Sequence, residues 1–184
     1  DNTTGDPTTI SFVRETAGSL TDAWVQVGSH AAGSGGSQWR TDLGILNRSP
    51  SAASVEVKLH VGGTVKASTT TVSAGGQSIL SDVVGQLAAT GSGSLEVVSD
   101  VPVIVSSRTF NSVGSEEACY AGGTFGQNYD AFAASSLLSE GQSAWLTQLT
   151  ENGASRTNIA LTNTGEAQAE VTITLYAGGT GVGS

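Results

Sequence analysis

Few side chains in this sequence are equipped for chemistry. His30 and His60 are its two histidines, Cys119 is its one cysteine, and Trp24, Trp39 and Trp145 are its three tryptophans. Acid–base or nucleophilic catalysis needs a positioned base beside an activated nucleophile. His30 lies in Gly28-Ser29-His30-Ala31-Ala32-Gly33-Ser34-Gly35-Gly36, which reads as a loop too flexible to preorganise a site. His60 alternates with Glu56 and Lys58 and reads as a solvated residue on the polar face of a strand. Serine is so frequent that a Ser-His-Asp triad drawn on paper carries no information. Glycoside hydrolysis needs two carboxyl groups roughly 5–9.5 Å apart across a cleft. Glu116 and Glu117 are adjacent, and on a strand they point oppositely. Asp42, Asp82, Asp100 and Asp130 read as turn, cap or strand-end residues. Two carboxylates next to Cys119 disfavour its thiolate, so it reads as an inert free thiol. Phosphate-binding, dinucleotide, zinc-protease, nucleophile-elbow and calcium-loop motifs are absent. The expectation is a protein that is not an enzyme and carries no metal or cofactor.

Aromatic side chains are the better candidates for binding, because exposed rings stack on sugars or anchor protein partners. Trp39, Tyr120, Phe125 and Tyr129, with Phe132 nearby, form a candidate ligand platform.

The elements that would position them follow from period-two alternation. In Ser54-Val55-Glu56-Val57-Lys58-Leu59-His60-Val61 the aliphatic residues share one face and the polar residues share the other. Further strands are expected at 8–14, 23–28, 41–47, 67–73, 94–99, 103–110 and 143–149. Turn residues separate them, among them Gly62-Gly63, Gly75-Gly76 and Asn152-Gly153. One short helix is expected over 82–88, with Ser81 as its cap.

An internal repeat organises these strands. Arg40-Thr41-Asp42-Leu43-Gly44-Ile45-Leu46-Asn47 returns 116 residues later as Arg156-Thr157-Asn158-Ile159-Ala160-Leu161-Thr162-Asn163. At the same offset, Ala53–Leu59 aligns with Ala169–Leu175, and Gly62-Gly63-Thr64 aligns with Gly178-Gly179-Thr180. Ala23-Trp24-Val25 matches Ala144-Trp145-Leu146, with a shorter loop in the second copy. Trp24 and Trp145 are therefore expected to share a core role, whereas Trp39 has Ser155 as its counterpart. Repeats fix architecture before anything else does. The expected organisation is a lead with an orphan strand at 1–17, a first sandwich at 18–112, a glycine-rich connection at 113–142 and a partial second sandwich at 143–184. One extended sandwich, with 143–176 folded back on the first sheet, is the alternative.

With 16 acidic and 7 basic residues, the net charge of −9 argues against nucleic acid, whose phosphates require Lys and Arg. Binding to anionic membrane surfaces is disfavoured for the same reason. No apolar run approaches the roughly 20 residues of a membrane-spanning helix. Low charge, scarce lysine and abundant Thr, Ser and Gly suit an extracellular or cell-surface protein. Asp1 is expected to be a processed or fragment terminus, since the chain has no methionine.

Trp39-Arg40-Thr41-Asp42-Leu43 running to Asn47, Ser107-Arg108-Thr109-Phe110-Asn111 and Gly123-Thr124-Phe125-Gly126-Gln127 together resemble immunoglobulin-like β-sandwich repeat modules of secreted bacterial proteins. The resemblance covers most of residues 23–176. It implies a structural, adhesive or accessory role and supplies no catalytic residue. The fold class expected is therefore all-β, with antiparallel immunoglobulin-like sandwiches, an incomplete second copy and one short helix.

An incomplete second copy would bare an apolar face on Ile159, Leu161, Val171, Ile173 and Leu175. Exposing each of the five would cost about 1.5–3 kcal/mol, and open sheet edges invite strand addition. The orphan strand at 8–13, with Ile10 and Phe12 on one side and Val13 beside them, is the expected donor. The resulting expectation is a structural or adhesive subunit, assembled by self-association or with another surface protein. The second expectation is an accessory module that binds a polysaccharide or a protein through Trp39 and the 120–132 segment.

Overall fold

The computed structural model describes residues 20–33, 36–112, 123–147, 149–152, 157–177 and 180–183. Ile10, Phe12, Val13, Cys119, Tyr120 and Arg156 lie outside the described residues. The fold is all-β and antiparallel, with one short helix.

Alternation builds the strands as expected. In β3 (Ala53–Val61), Val55, Val57 and Leu59 are buried while Glu56, Lys58 and His60 are half-buried on the other face. Gly62 and Gly63 both have positive φ, 56° and 73°, and close the hairpin to β4 (Thr64–Val72). A two-residue turn with that conformation matches the strand twist, and only residues without a Cβ adopt it freely. β1 (Leu20–Ala32) and β2 (Gln38–Asn47) extend further than the sequence pattern suggests. Residues 28–32 of the glycine-rich stretch are strand: β1 reaches Ala32, and His30 pairs with Arg40 of β2. The expected loop position of His30 is therefore corrected.

The strands expected at 94–99 and 103–110 are one 22-residue strand, here labelled β6 (Gly91–Ser112). It stays continuous by changing neighbours. Up to Ser99 it lies between β1 and β3, and from Val103 it pairs with β2. Exposed Pro102, which has no amide to donate, stands at the handover. β5 (Gln77–Leu80) pairs with β2, and β7 (Thr124–Asp130) pairs with the second half of β6. β8 (Phe132–Ala133) pairs with β1. β7 lies in what the sequence presents as a connection, because its Gly126 and Asn128 mask a strand pattern.

The resulting eight-stranded sheet follows the order β4-β3-β6-β1-β2-β5. It curls around its own apolar face instead of packing on a second sheet, as a sandwich over 18–112 would. Val25, Leu43, Ile45, Val55, Val57, Leu59, Leu95, Val97, Val103 and Val105 fill the concave side. α1 (Val83–Gln86) closes one end with Val83, Val84 and the following Leu87. Its N-cap is Asp82, not Ser81: Asp82 takes φ 48° and ψ 54° and accepts a bond from the Gly85 amide.

Beyond β8, regular ladders almost vanish. Residues 142–147, 149 and 157–174 carry no strand, so the strand expected at 143–149 is absent among its described residues. Among the described residues there, only β9 (Leu175–Ala177) and β10 (Thr180–Gly183) pair, as a separate two-stranded sheet. Among the described residues no helix is long and apolar enough to cross a membrane.

Candidate functional site

Among the described residues, the exposed large apolar side chains concentrate between Leu138 and Tyr176. The segment from Ala144 to β10 repeats the sequence of β1, β2 and β3, yet its residues do not share their burial. Leu43, Ile45, Val55, Val57 and Leu59 are 0–1% exposed, whereas Ile159, Leu161, Val171, Ile173 and Leu175 at the matching positions are 39–62% exposed. These five side chains are exposed, but residues 157–174 form no strand, so the open sheet expected to carry them is not seen among the described residues.

Local geometry nevertheless recurs between the two stretches. Asn47 Nδ2 donates to the Ser51 carbonyl at 2.8 Å, and the Ser49 amide donates to Asn47 Oδ1 at 2.9 Å. Asn163 Nδ2 donates to the Ala167 carbonyl at 2.7 Å, and the Gly165 amide donates to Asn163 Oδ1 at 3.0 Å. The Ser29 amide donates to Thr41 Oγ1 at 2.8 Å, and the Thr150 amide donates to Thr157 Oγ1 at 3.0 Å. Val61 faces Thr64 across the β3–β4 hairpin, and Ala177 faces Thr180 across β9–β10.

Ring pairs recur as well. Trp24 and His60 have ring centroids 5.0 Å apart, and Trp145 and Tyr176 are 5.4 Å apart. Trp24 is on β1 and His60 on β3, so the first pair meets over β6, which runs between them. The second pair meets with no such strand beneath it: β9 has one ladder, to β10, and residues 144–147 have none. Trp145 is 75% exposed, so its expected core role, shared with buried Trp24, does not hold in the single chain.

Under the Trp24–His60 pair lies an ionic cluster. Glu96 Oε1 accepts from Lys58 Nζ at 3.0 Å, and Glu96 Oε2 stands 2.8 Å from His60 Nε2. His60 is therefore a member of a half-buried network, not a solvated strand residue. Burial alone would push the Glu96 carboxyl up. The hydrogen bonds from Lys58 and His60, with their charges, outweigh that and hold it below the usual range. Lys58 is held above its ordinary value, first by its hydrogen bond to Glu96.

A second polar cluster surrounds α1. His30 Nδ1 lies 2.8 Å from Asp82 Oδ2, and Arg40 Nε lies 3.7 Å from the same oxygen. The Asp42 carboxylate accepts from the Asp82 amide at 2.9 Å. Arg40 also donates to its neighbour's carbonyl at Trp39. The arrangement locks α1 onto β1 and β2.

The aromatic platform is only partly assembled. Trp39, 38% exposed, and Tyr129 line a cleft of about 980 Å³ together with Phe132, Ile159 and Leu161. Burial pushes the Tyr129 hydroxyl up. Gly33 lets the Trp39 indole close over the β1–β2 turn, since a Cβ there would stand 2.6 Å from Nε1. Phe125, on β7, pairs with Asn111 of β6 and does not line the cleft. Among the described residues no group of His, Cys, Asp and Glu is arranged to hold a metal ion. Sequence reasoning missed the Glu96 and Asp82 clusters, whose partners are 36–52 residues apart in the chain.

No family model matches the chain, and no curated protein matches it. Among solved structures, the crystal structure of Thermotoga maritima 1070 is similar over 61% of this chain and 92% of that one, at 14% identity and a TM-score of 0.49.

Proposed function

We propose that this chain is a non-enzymatic structural or adhesive module of the cell surface or extracellular space, which assembles through residues 144–177. The observation that carries the reading is the contrast between the five buried aliphatic residues of β2 and β3 and their five exposed counterparts. Five aliphatic side chains cost about 1.5–3 kcal/mol each when left in water, comparable in sum to the roughly 5–15 kcal/mol that holds a domain folded. Covering them by association is the favourable outcome.

The finer architecture belongs to the same proposal. Residues 144–177 are a second copy of the immunoglobulin-like repeat, and the recurring Asn, Thr and ring-pair contacts support that reading. It becomes a full sheet when another chain supplies the missing strand. Such a contact joins unlike surfaces and propagates into rings or filaments. The acidic composition is consistent with partners other than nucleic acid and anionic membrane.

Light scattering with negative-stain imaging tests the proposal. The chain is expected to form rings or filaments, and Ile173→Asp is expected to leave monomers whose first sheet is folded. A wild-type chain that stays at 18.4 kDa over a wide concentration range would overturn it.

A further inference from the structure

We infer that the open slot between residues 144–146 and β9 takes Ile10-Ser11-Phe12 of another copy of this chain as its central strand; the inference rests on the assembly reading above. The first repeat states what such a slot accepts. There Leu95 faces Val25 and Leu59, Val97 faces Ala23 and Val57, and Glu96 between them faces Trp24 and Lys58. The template is apolar, polar, apolar.

In the second repeat Ala144 and Leu146 stand for Ala23 and Val25, and Ile173 and Leu175 stand for Val57 and Leu59. The apolar requirement is retained at all four positions. The polar requirement changes. Lys58 is replaced by Thr174 and His60 by Tyr176, so both side chains that serve Glu96 are gone. A carboxylate inserted beneath Trp145 and Tyr176 would be desolvated without a counter-charge, which is costly. A hydroxyl has no such penalty, because Thr174 offers a hydroxyl partner and Tyr176 another.

Ile10-Ser11-Phe12 meets this requirement: two apolar side chains on one face and a small hydroxyl on the other. Phe12 would stand where Val97 does, beside the small Ala144. β6 is not the donor, because its edges are already paired with β1, β2, β3 and β7. The donor is assigned to a second chain, as the assembly reading requires; Val171, Ile173 and Leu175 are about half exposed. Main-chain pairing supplies affinity, and the single polar position supplies selectivity.

The test is the size distribution and Trp145 fluorescence of the full chain carrying Phe12→Asp, Ser11→Glu or Ser11→Glu with Thr174→Lys. Wild type is expected to assemble and Phe12→Asp to remain monomeric. Ser11→Glu is expected to weaken assembly by about tenfold or more. Thr174→Lys is expected to restore it by recreating the Lys58–Glu96 pairing, an effect that general destabilisation would not produce. If wild type assembles but Phe12→Asp and Ser11→Glu assemble equally well, this inference fails while the assembly reading stands. Assembly lost in Ser11→Glu but not regained with Thr174→Lys overturns the assigned register. A monomeric wild type overturns the assembly reading and, with it, donation between copies.

Discussion

Asn163 repeats the two hydrogen bonds of Asn47, to the amide two residues on and the carbonyl four residues on, but it does so in water. Asn47 is fully buried and also reaches the carbonyls of Val72 and Ser73 at 3.1 Å. The same turn is thus a buried junction in one place and a surface turn in the other. Asn47→Ala leaves several carbonyls without a donor and is expected to cost about 2–3 kcal/mol. Asn163→Ala is expected to change the same urea transition by less than about 0.5 kcal/mol. Equal losses would mean that the second turn is as buried in solution as the first.

Leu43 and Ile159 extend the comparison to the core. Leu43→Ala opens a cavity among packed aliphatic side chains and is expected to cost about 2–5 kcal/mol. Ile159→Ala is expected to leave the unfolding midpoint almost unchanged at low concentration and to weaken self-association. Denaturation of both variants at two protein concentrations separates the effects, because only association depends on concentration.

Much of this was legible in the sequence. Alternation marked β1 to β4 and the two halves of β6, and Gly62-Gly63 marked a hairpin whose positive φ values require it. Other features depend on tertiary neighbours that alternation does not encode. β5 is four residues long and exists because β2 offers it an edge. β7, with Gly126 and Asn128, is held by β6. The Glu96 and Asp82 clusters join strands far apart in the chain, so no local spacing announces them. Nor does alternation distinguish a sheet that curls on itself from two packed sheets, because both bury one face.

Glu96 links stability to pH. Its carboxyl is held below the ordinary range, so its contribution is complete above about pH 4.3, the unfolded value, and is lost as pH falls through the folded value. Lys58 is raised, so its share is complete below about pH 10.4 and is lost as pH rises through its folded value. Glu96→Gln is therefore expected to be less stable than wild type at neutral pH, by about 1 kcal/mol. The two proteins should converge as pH falls through the folded value of Glu96, below which both side chains are neutral. A difference that persists unchanged at low pH would assign the effect to packing.

Backbone space gives a sharper test at Gly126 in β7. A Cβ there would lie 2.6 Å from the Thr109 carbonyl oxygen and 2.8 Å from Phe110 Cα, both in the backbone of β6. Neither can move aside as a side-chain tip would. Gly126→Ala is expected to part β7 from β6 and expose their amides to hydrogen exchange, while the β3–β4, β3–β6 and β1–β6 ladders keep their protection. Uniform protection in the variant would show that the sheet absorbs the methyl group.

Asp82 is the residue on which α1 depends, and three substitutions separate its duties. Its left-handed backbone disfavours most side chains, with Asn, Asp and Gly the tolerant ones. Its carboxylate accepts from Gly85 and meets His30 and Arg40. Asp82→Asn retains the conformation and an acceptor for Gly85 but loses the charge. Asp82→Gly retains the conformation and loses the acceptor. Asp82→Ala loses the acceptor and keeps the backbone strain. The expected order of stability is wild type, then Asn, then Gly, then Ala, with Ala about 1–3 kcal/mol below wild type. Urea midpoints measure it. Gly falling below Ala would place the weight on chain entropy, and Asn falling to the level of Gly would place it on the charge facing His30 and Arg40.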